Sequence, residues 1–165
     1  MTRKTQVKET KTSAKSEQKG SKSGKTDRSK TDSQEDYNIL FSGTAKKLSP
    51  KSDGLIGYEL IKDTKNEHYI RLTENASGGI FCKNPVPLKS IVSVLDKQIP
   101  DKPFKSSIMK DVFVGKGSKS ANNTSFLIAV LRTPDIALIV STKNSQFLST
   151  LSPEFKAKAN QLLSK

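Results

Sequence analysis

The chain has 165 residues and sets 29 Lys+Arg against 16 Asp+Glu, a formal net charge of +13. Only 33% of its residues are hydrophobic and 6% aromatic, lean for a wholly globular chain, so part of it is expected to lie outside any core. The lone Cys82 excludes an internal disulfide framework, and Cys82 with His68 cannot furnish a Cys/His zinc site.

No apolar run approaches the roughly 18 residues of a membrane span, and the first 20 residues hold no apolar stretch of a secretory signal. A cytoplasmic protein with no membrane partner is expected. The excess of positive charge points to a polyanion.

Residues 1–36 contain Val7 as their single large aliphatic side chain ahead of the boundary near Asp36, among Lys, Ser, Thr, Gln and Gly. Such a segment cannot bury enough apolar surface to offset its ordering entropy, so a disordered basic tail is expected. Through Glu35 it carries ten basic residues against five acidic ones, and Arg3, Lys4, Lys22, Lys25 and Arg28 are candidate phosphate contacts. The remaining chain keeps a net +8, so the folded part is basic in its own right. Within the tail, Gly20-Ser21-Lys22-Ser23-Gly24-Lys25-Thr26 imitates the end of a phosphate-binding loop, but one residue is missing between the glycines. No apolar strand precedes it and no amphipathic helix follows, so the match is compositional.

Residues 37–165 are expected to form one α+β domain. Residues 37–41 make a short apolar patch, and 50–54 a turn. Residues 55–62 read as a strand with Ile56, Tyr58 and Leu60 on one side; 68–73 alternate as a second, with Ile70 and Leu72 inward. Residues 80–83 look like a third, and Pro85 and Pro87 close a small antiparallel sheet over 55–84. Residues 88–99 then show a helical stripe, and 106–114 a second short helix with Ile108, Met109, Val112 and Phe113 inward. A basic Gly/Ser/Asn connector, 115–123, leads to a third helix through Arg132. The alternative is a strand pair over 126–131 and 136–140, but the capping residues Asn122, Asn123 and Thr124 and the Leu/Ala content favour helix. A β-hairpin turning at 143–145 and a last helix opened by Ser152-Pro153 complete the chain.

The order helix, helix, polar loop, helix, hairpin, helix over 88–165 resembles a winged helix-turn-helix, which implies a third helix in the major groove of DNA and a hairpin on its backbone. At 100° per residue, Asn122, Ser125, Ala129 and Arg132 share one side of that helix. Asn and Arg are base-reading residue types, so Asn122, Asn123, Ser125 and Arg132 are candidate base contacts. Lys116 and Lys119 in the loop, and Lys143 in the wing, are candidate phosphate contacts. A second candidate surface joins Tyr69 and Arg71 to Phe81 or Lys83 as a stacking face.

Catalysis finds little support. His68 at a strand start reads as a surface residue, Cys82 as a buried small hydrophobe, and no acidic pair stands out, so no catalytic residue, metal or cofactor is expected.

The segments Arg71-Leu72-Thr73-Glu74-Asn75-Ala76-Ser77-Gly78-Gly79, Val86-Pro87-Leu88 and Asn122-Asn123 with Phe126-Leu127-Ile128-Ala129-Val130-Leu131 resemble small uncharacterised proteins of bacterial plasmids and conjugative elements. The resemblance covers roughly residues 55–135; it implies a mobile-element setting and no mechanism. The leading expectation is a non-enzymatic nucleic-acid-binding accessory protein, DNA before RNA. The alternative is a protein-interaction adaptor, or a regulatory or secretion-associated partner of an acidic protein.

Overall fold

A computed structural model describes residues 36–165; Arg3, Lys4, Lys22, Lys25 and Arg28 lie outside them. The described chain is α+β, as its periodicity predicts. Strands β1 (Asn38–Lys46), β2 (Leu55–Lys62), β3 (His68–Asn75) and β4 (Val86–Pro87) form an antiparallel sheet in sequential order. Helix α1 (Leu88–Asp96) follows, then β5 (Phe104–Lys105) and a 3-10 segment, Ser106–Val112. Helix α2 (Asn123–Leu131), strands β6 (Ile139–Thr142) and β7 (Ser145–Leu151), and helix α3 (Phe155–Leu163) complete the domain. A second antiparallel sheet has the order β5-β7-β6.

One face of the larger sheet carries the core: Ile56, Tyr58 and Leu60 of β2 and Ile70 and Leu72 of β3 are all buried. Helix α1 lays its Leu88, Ile91 and Leu95 stripe against β3 and β4, while α2 packs on β1, β2 and the 3-10 segment. In that segment Met109 and Val112, three residues apart, are the buried positions, matching three residues per turn. Strand β1 must pass over the Tyr58 ring, and Gly43 permits this: a Cβ there would stand 2.7 Å from the Tyr58 hydroxyl. That hydroxyl lies 3.0 Å from Thr133 Oγ1 and 3.3 Å from Asp135 Oδ2, tying the sheet to the end of α2.

Three expectations need correction. The apolar patch at 37–41 is the start of β1, a full strand completed by pairing with β2. Residues 80–83 are not a strand: Ile80 is 78% exposed, and the ladder on β3 is supplied by Val86 and Pro87 instead. His68 is buried rather than on the surface, at 5% exposure, because the alternation of β3 puts it on the same face as buried Ile70 and Leu72. Cys82 is buried as expected, although outside a strand. Among the described residues no helix is long and apolar enough to cross a membrane, and no group of three His, Cys, Asp or Glu is placed to hold a metal ion.

Candidate nucleic-acid interface

Helix α2 forms where the sequence places it, between the polar loop and the hairpin, but it does not present a groove-reading side. Every residue from Phe126 to Leu131 is buried, Ala129 included. Apolar side chains surround the axis of this helix on all sides, and packing around it overrides the weak polar face read from the 100° wheel. Hairpin β6–β7 is joined along the free edge of β7 by β5.

The candidate residues separate accordingly. Asn123 is buried, and its side chain is a clamp. Its Oδ1 accepts from Cys82 N–H at 2.9 Å, and its Nδ2 donates to Gly117 O at 2.8 Å and Ser118 O at 3.0 Å. Gly117 adopts φ 82° there, and a Cβ would sit 2.9 Å from Phe81 O, so loop and residues 81–82 are pressed together. Arg132 is likewise committed to protein. Its guanidinium donates to Gln146 O at 2.7 Å, Leu148 O at 2.8 Å and Ser149 Oγ at 2.7 Å, bracing β7 against α2. All three acceptors are neutral, its Nε is buried with no partner, and burial pulls its pKa down. Lys116 is exposed, and Lys119 borders a separate depression with Ile80 and Gly117; neither joins the remaining candidates.

Of the second candidate surface, Tyr69 and Arg71 come together through Tyr37, whose ring meets Tyr69 edge-on at 5.7 Å and lies 5.9 Å from the Arg71 guanidinium. Arg71 turns to Glu59, donating from Nε at 2.9 Å and from Nη2 at 2.6 Å, and Phe81 packs edge-on against Phe126 with ring centroids 6.4 Å apart.

What the fold does bring together is one face, built from three segments. The end of β1 and the loop after it supply Lys46, Lys47 and Ser49; the start of α2 supplies Asn122 and Ser125; the β6–β7 hairpin supplies Ser141, Gln146 and Phe147. Exposed Lys143 sits at the tip of the same hairpin. Two adjoining cavities share Lys47, Leu48 and Ser49 as their common wall. The larger, about 580 Å³, is floored by Ala129, Arg132 and Thr133. The smaller, about 280 Å³, is bordered by Asn122, Ser125 and Phe147. Neither has an Asp or Glu in its lining. Phe147 is 56% exposed, and Lys47 Nζ stands 5.5 Å above the Phe126 ring. Lys46, Lys47, Lys143 and Arg132 form no ion pair among the described residues.

Asn122, Ser125, Arg132 and Lys143 were thus legible as neighbours of one surface, although Arg132 reaches it as floor rather than as reader. Lys46, Lys47 and Phe147 were not singled out by sequence. Their signal was present, in a Lys-Lys pair ahead of a Ser-Pro turn and an aromatic next to the hairpin turn, but adjacency required the fold. Comparison with protein-family models, curated proteins and solved structures finds no match for the chain.

Proposed function

We propose that the protein is a non-enzymatic nucleic-acid-binding accessory protein of the cytoplasm, with DNA as its first partner and an unpaired strand as the form it holds. The observation that carries this reading is the face between the β1–β2 loop and the β6–β7 hairpin. It combines cations outside any ion pair, an exposed aromatic ring and side-chain amides, and no carboxylate lines it among the described residues. Lysines on such a face track phosphates by displacing counterions, and an exposed ring offers a sequence-tolerant platform for a base. Asn122 and Gln146 add side-chain amides of the type that bonds base edges. The enclosed α2 supports a strand lying over the surface in preference to a duplex wrapped on a recognition helix. The basic tail adds non-specific attraction.

The test is fluorescence anisotropy of the full chain with labelled single-stranded DNA, duplex DNA and RNA across a salt series. The expected result is tightest binding to single strands, with an affinity that falls steeply as salt rises. Binding that ignores salt, or no binding to any of the three, overturns the reading. In that case copurification with a defined polypeptide, without absorbance at 260 nm, would favour the adaptor.

A further inference from the structure

The larger cavity has a chemistry of its own. Its floor holds Arg132, a half-buried cation whose hydrogen bonds all end on neutral oxygens, so the charge is oriented by the protein but not neutralised by it. Holding such a charge partly away from water costs free energy that a fixed anion would recover. Lys46 and Lys47 stand on the wall, and neither forms an ion pair among the described residues. The hydroxyls of Thr44, Ser49 and Ser141 also border the space, and none makes a side-chain hydrogen bond among the described residues. The acids nearest in sequence are Asp53 and Asp135. Neither lines the cavity, and Asp135 is turned to the Tyr58 hydroxyl.

We infer that this cavity is a seat for a phosphate monoester. Three cations and three free hydroxyls suit the dianion, which carries about −1.5 to −2 charges near neutral pH, better than the single charge of a diester. At about 580 Å³ the space exceeds a phosphate group alone and leaves room for the sugar that bears it. The shared wall with the Phe147 cavity lets a terminal nucleotide set its base on the ring and its phosphate above Arg132. The inference deepens the nucleic-acid reading and rests on it only for the source of the monoester, a strand end or a free nucleotide.

The experiment titrates the full chain with four probes: inorganic phosphate, a nucleoside 5′-monophosphate, a hexanucleotide phosphorylated at both ends, and the same hexanucleotide without terminal phosphates. The end-phosphorylated hexamer is expected to bind about tenfold tighter than the unphosphorylated one, and inorganic phosphate is expected to compete for that difference alone. Lys46→Ala and Ser141→Asp, both at exposed positions, should each abolish the difference, whereas Lys89→Ala, at a residue that lines neither cavity, should keep it. A monophosphate that binds as tightly as the end-phosphorylated hexamer supports the seat and assigns it a free nucleotide. Equal affinities of the two hexamers, with no competition by phosphate, overturn the seat while leaving the interface reading standing. Loss of all hexamer binding with the monophosphate still bound would overturn the interface and keep the seat.

Discussion

The two ends of the larger sheet treat charge in opposite ways. At the β2–β3 end Arg71, Lys89 and Asp63 meet protein partners, while exposed Lys65 forms no ion pair among the described residues. Arg71 is bonded to Glu59, and Lys89 to Glu67 at 2.6 Å. Asp63 accepts from the N–H groups of Glu67 and Lys65 and from the Tyr69 hydroxyl. Desolvation pushes the Asp63 carboxyl up, but those three donors outweigh it and hold the pKa below the usual carboxylate value. At the β1–β2 end, Lys46, Lys47 and Arg132 line the larger of two open cavities and Lys47 also the smaller, without a carboxylate in either lining. Paired charges on a surface contribute little and recruit nothing. A partly buried cation such as Arg132, bonded only to neutral oxygens, costs free energy that a bound anion would recover. On the proposed function the two ends separate scaffold from interface within one small domain.

The largest expected effect comes from reversing charge at the open end. Lys46→Glu with Lys143→Glu, both exposed, should weaken single-stranded DNA binding by about 100-fold at low salt and flatten its salt dependence. Lys89→Glu with Lys65→Glu makes the same formal change at the paired end and should leave affinity within about twofold. Anisotropy titrations of the two double variants make the comparison. Equal losses would mean that net charge, not placement, governs binding.

Asn123 and Asn122 sharpen the distinction between neighbours. Asn123→Ala strands the Cys82 N–H and frees two carbonyls, and should cost about 2 kcal/mol in urea unfolding. Asn122→Ala, at an exposed position, should leave unfolding unchanged and weaken only strand binding. Phe147→Ala should cost about 1 kcal/mol of affinity for single-stranded DNA with no loss of thermal stability, because the ring is more than half exposed. A lowered Tm for Phe147→Ala would recast the ring as packing.

The smallest effect lies at the paired end. Burial and then the Lys62 charge push the His68 pKa below its ordinary 6.5, with Lys89 adding to this and Glu67 and Asp63 opposing it. The folded state thus favours neutral imidazole more than the unfolded state does. The stability this contributes is complete above about pH 6.5 and declines as pH falls below that value toward the folded pKa. Wild-type Tm should fall more steeply over that window than the Tm of His68→Gln, and DNA affinity should not follow it.

Much of this architecture was readable where periodicity and packing agree. In β2, β3 and α1 the apolar residues recur at the spacing of the element and are the residues found buried. Strand β1 was not readable, because Ser42, Gly43 and Thr44 look like a loop; its conformation comes from β2 alongside and from the space Gly43 leaves over Tyr58. Residues 80–83 misled in the opposite direction, since Ile80, Phe81 and Cys82 have strand character while Asn123 and Gly117 hold them as a loop. The interface was half legible. Asn122, Ser125 and Lys143 could be placed together by element order, but Lys46 and Lys47 come from the end of β1 and the loop after it, some 75 residues earlier, and no local pattern announces that proximity.

Photocrosslinking locates the bound strand most directly. Single-stranded DNA carrying photoreactive pyrimidines, irradiated with the full chain and mapped by mass spectrometry, is expected to link to Phe147 and to peptides spanning residues 46–49 and 122–125. Crosslinks concentrated on the β2–β3 turn and α1, with none at Phe147, would contradict the account.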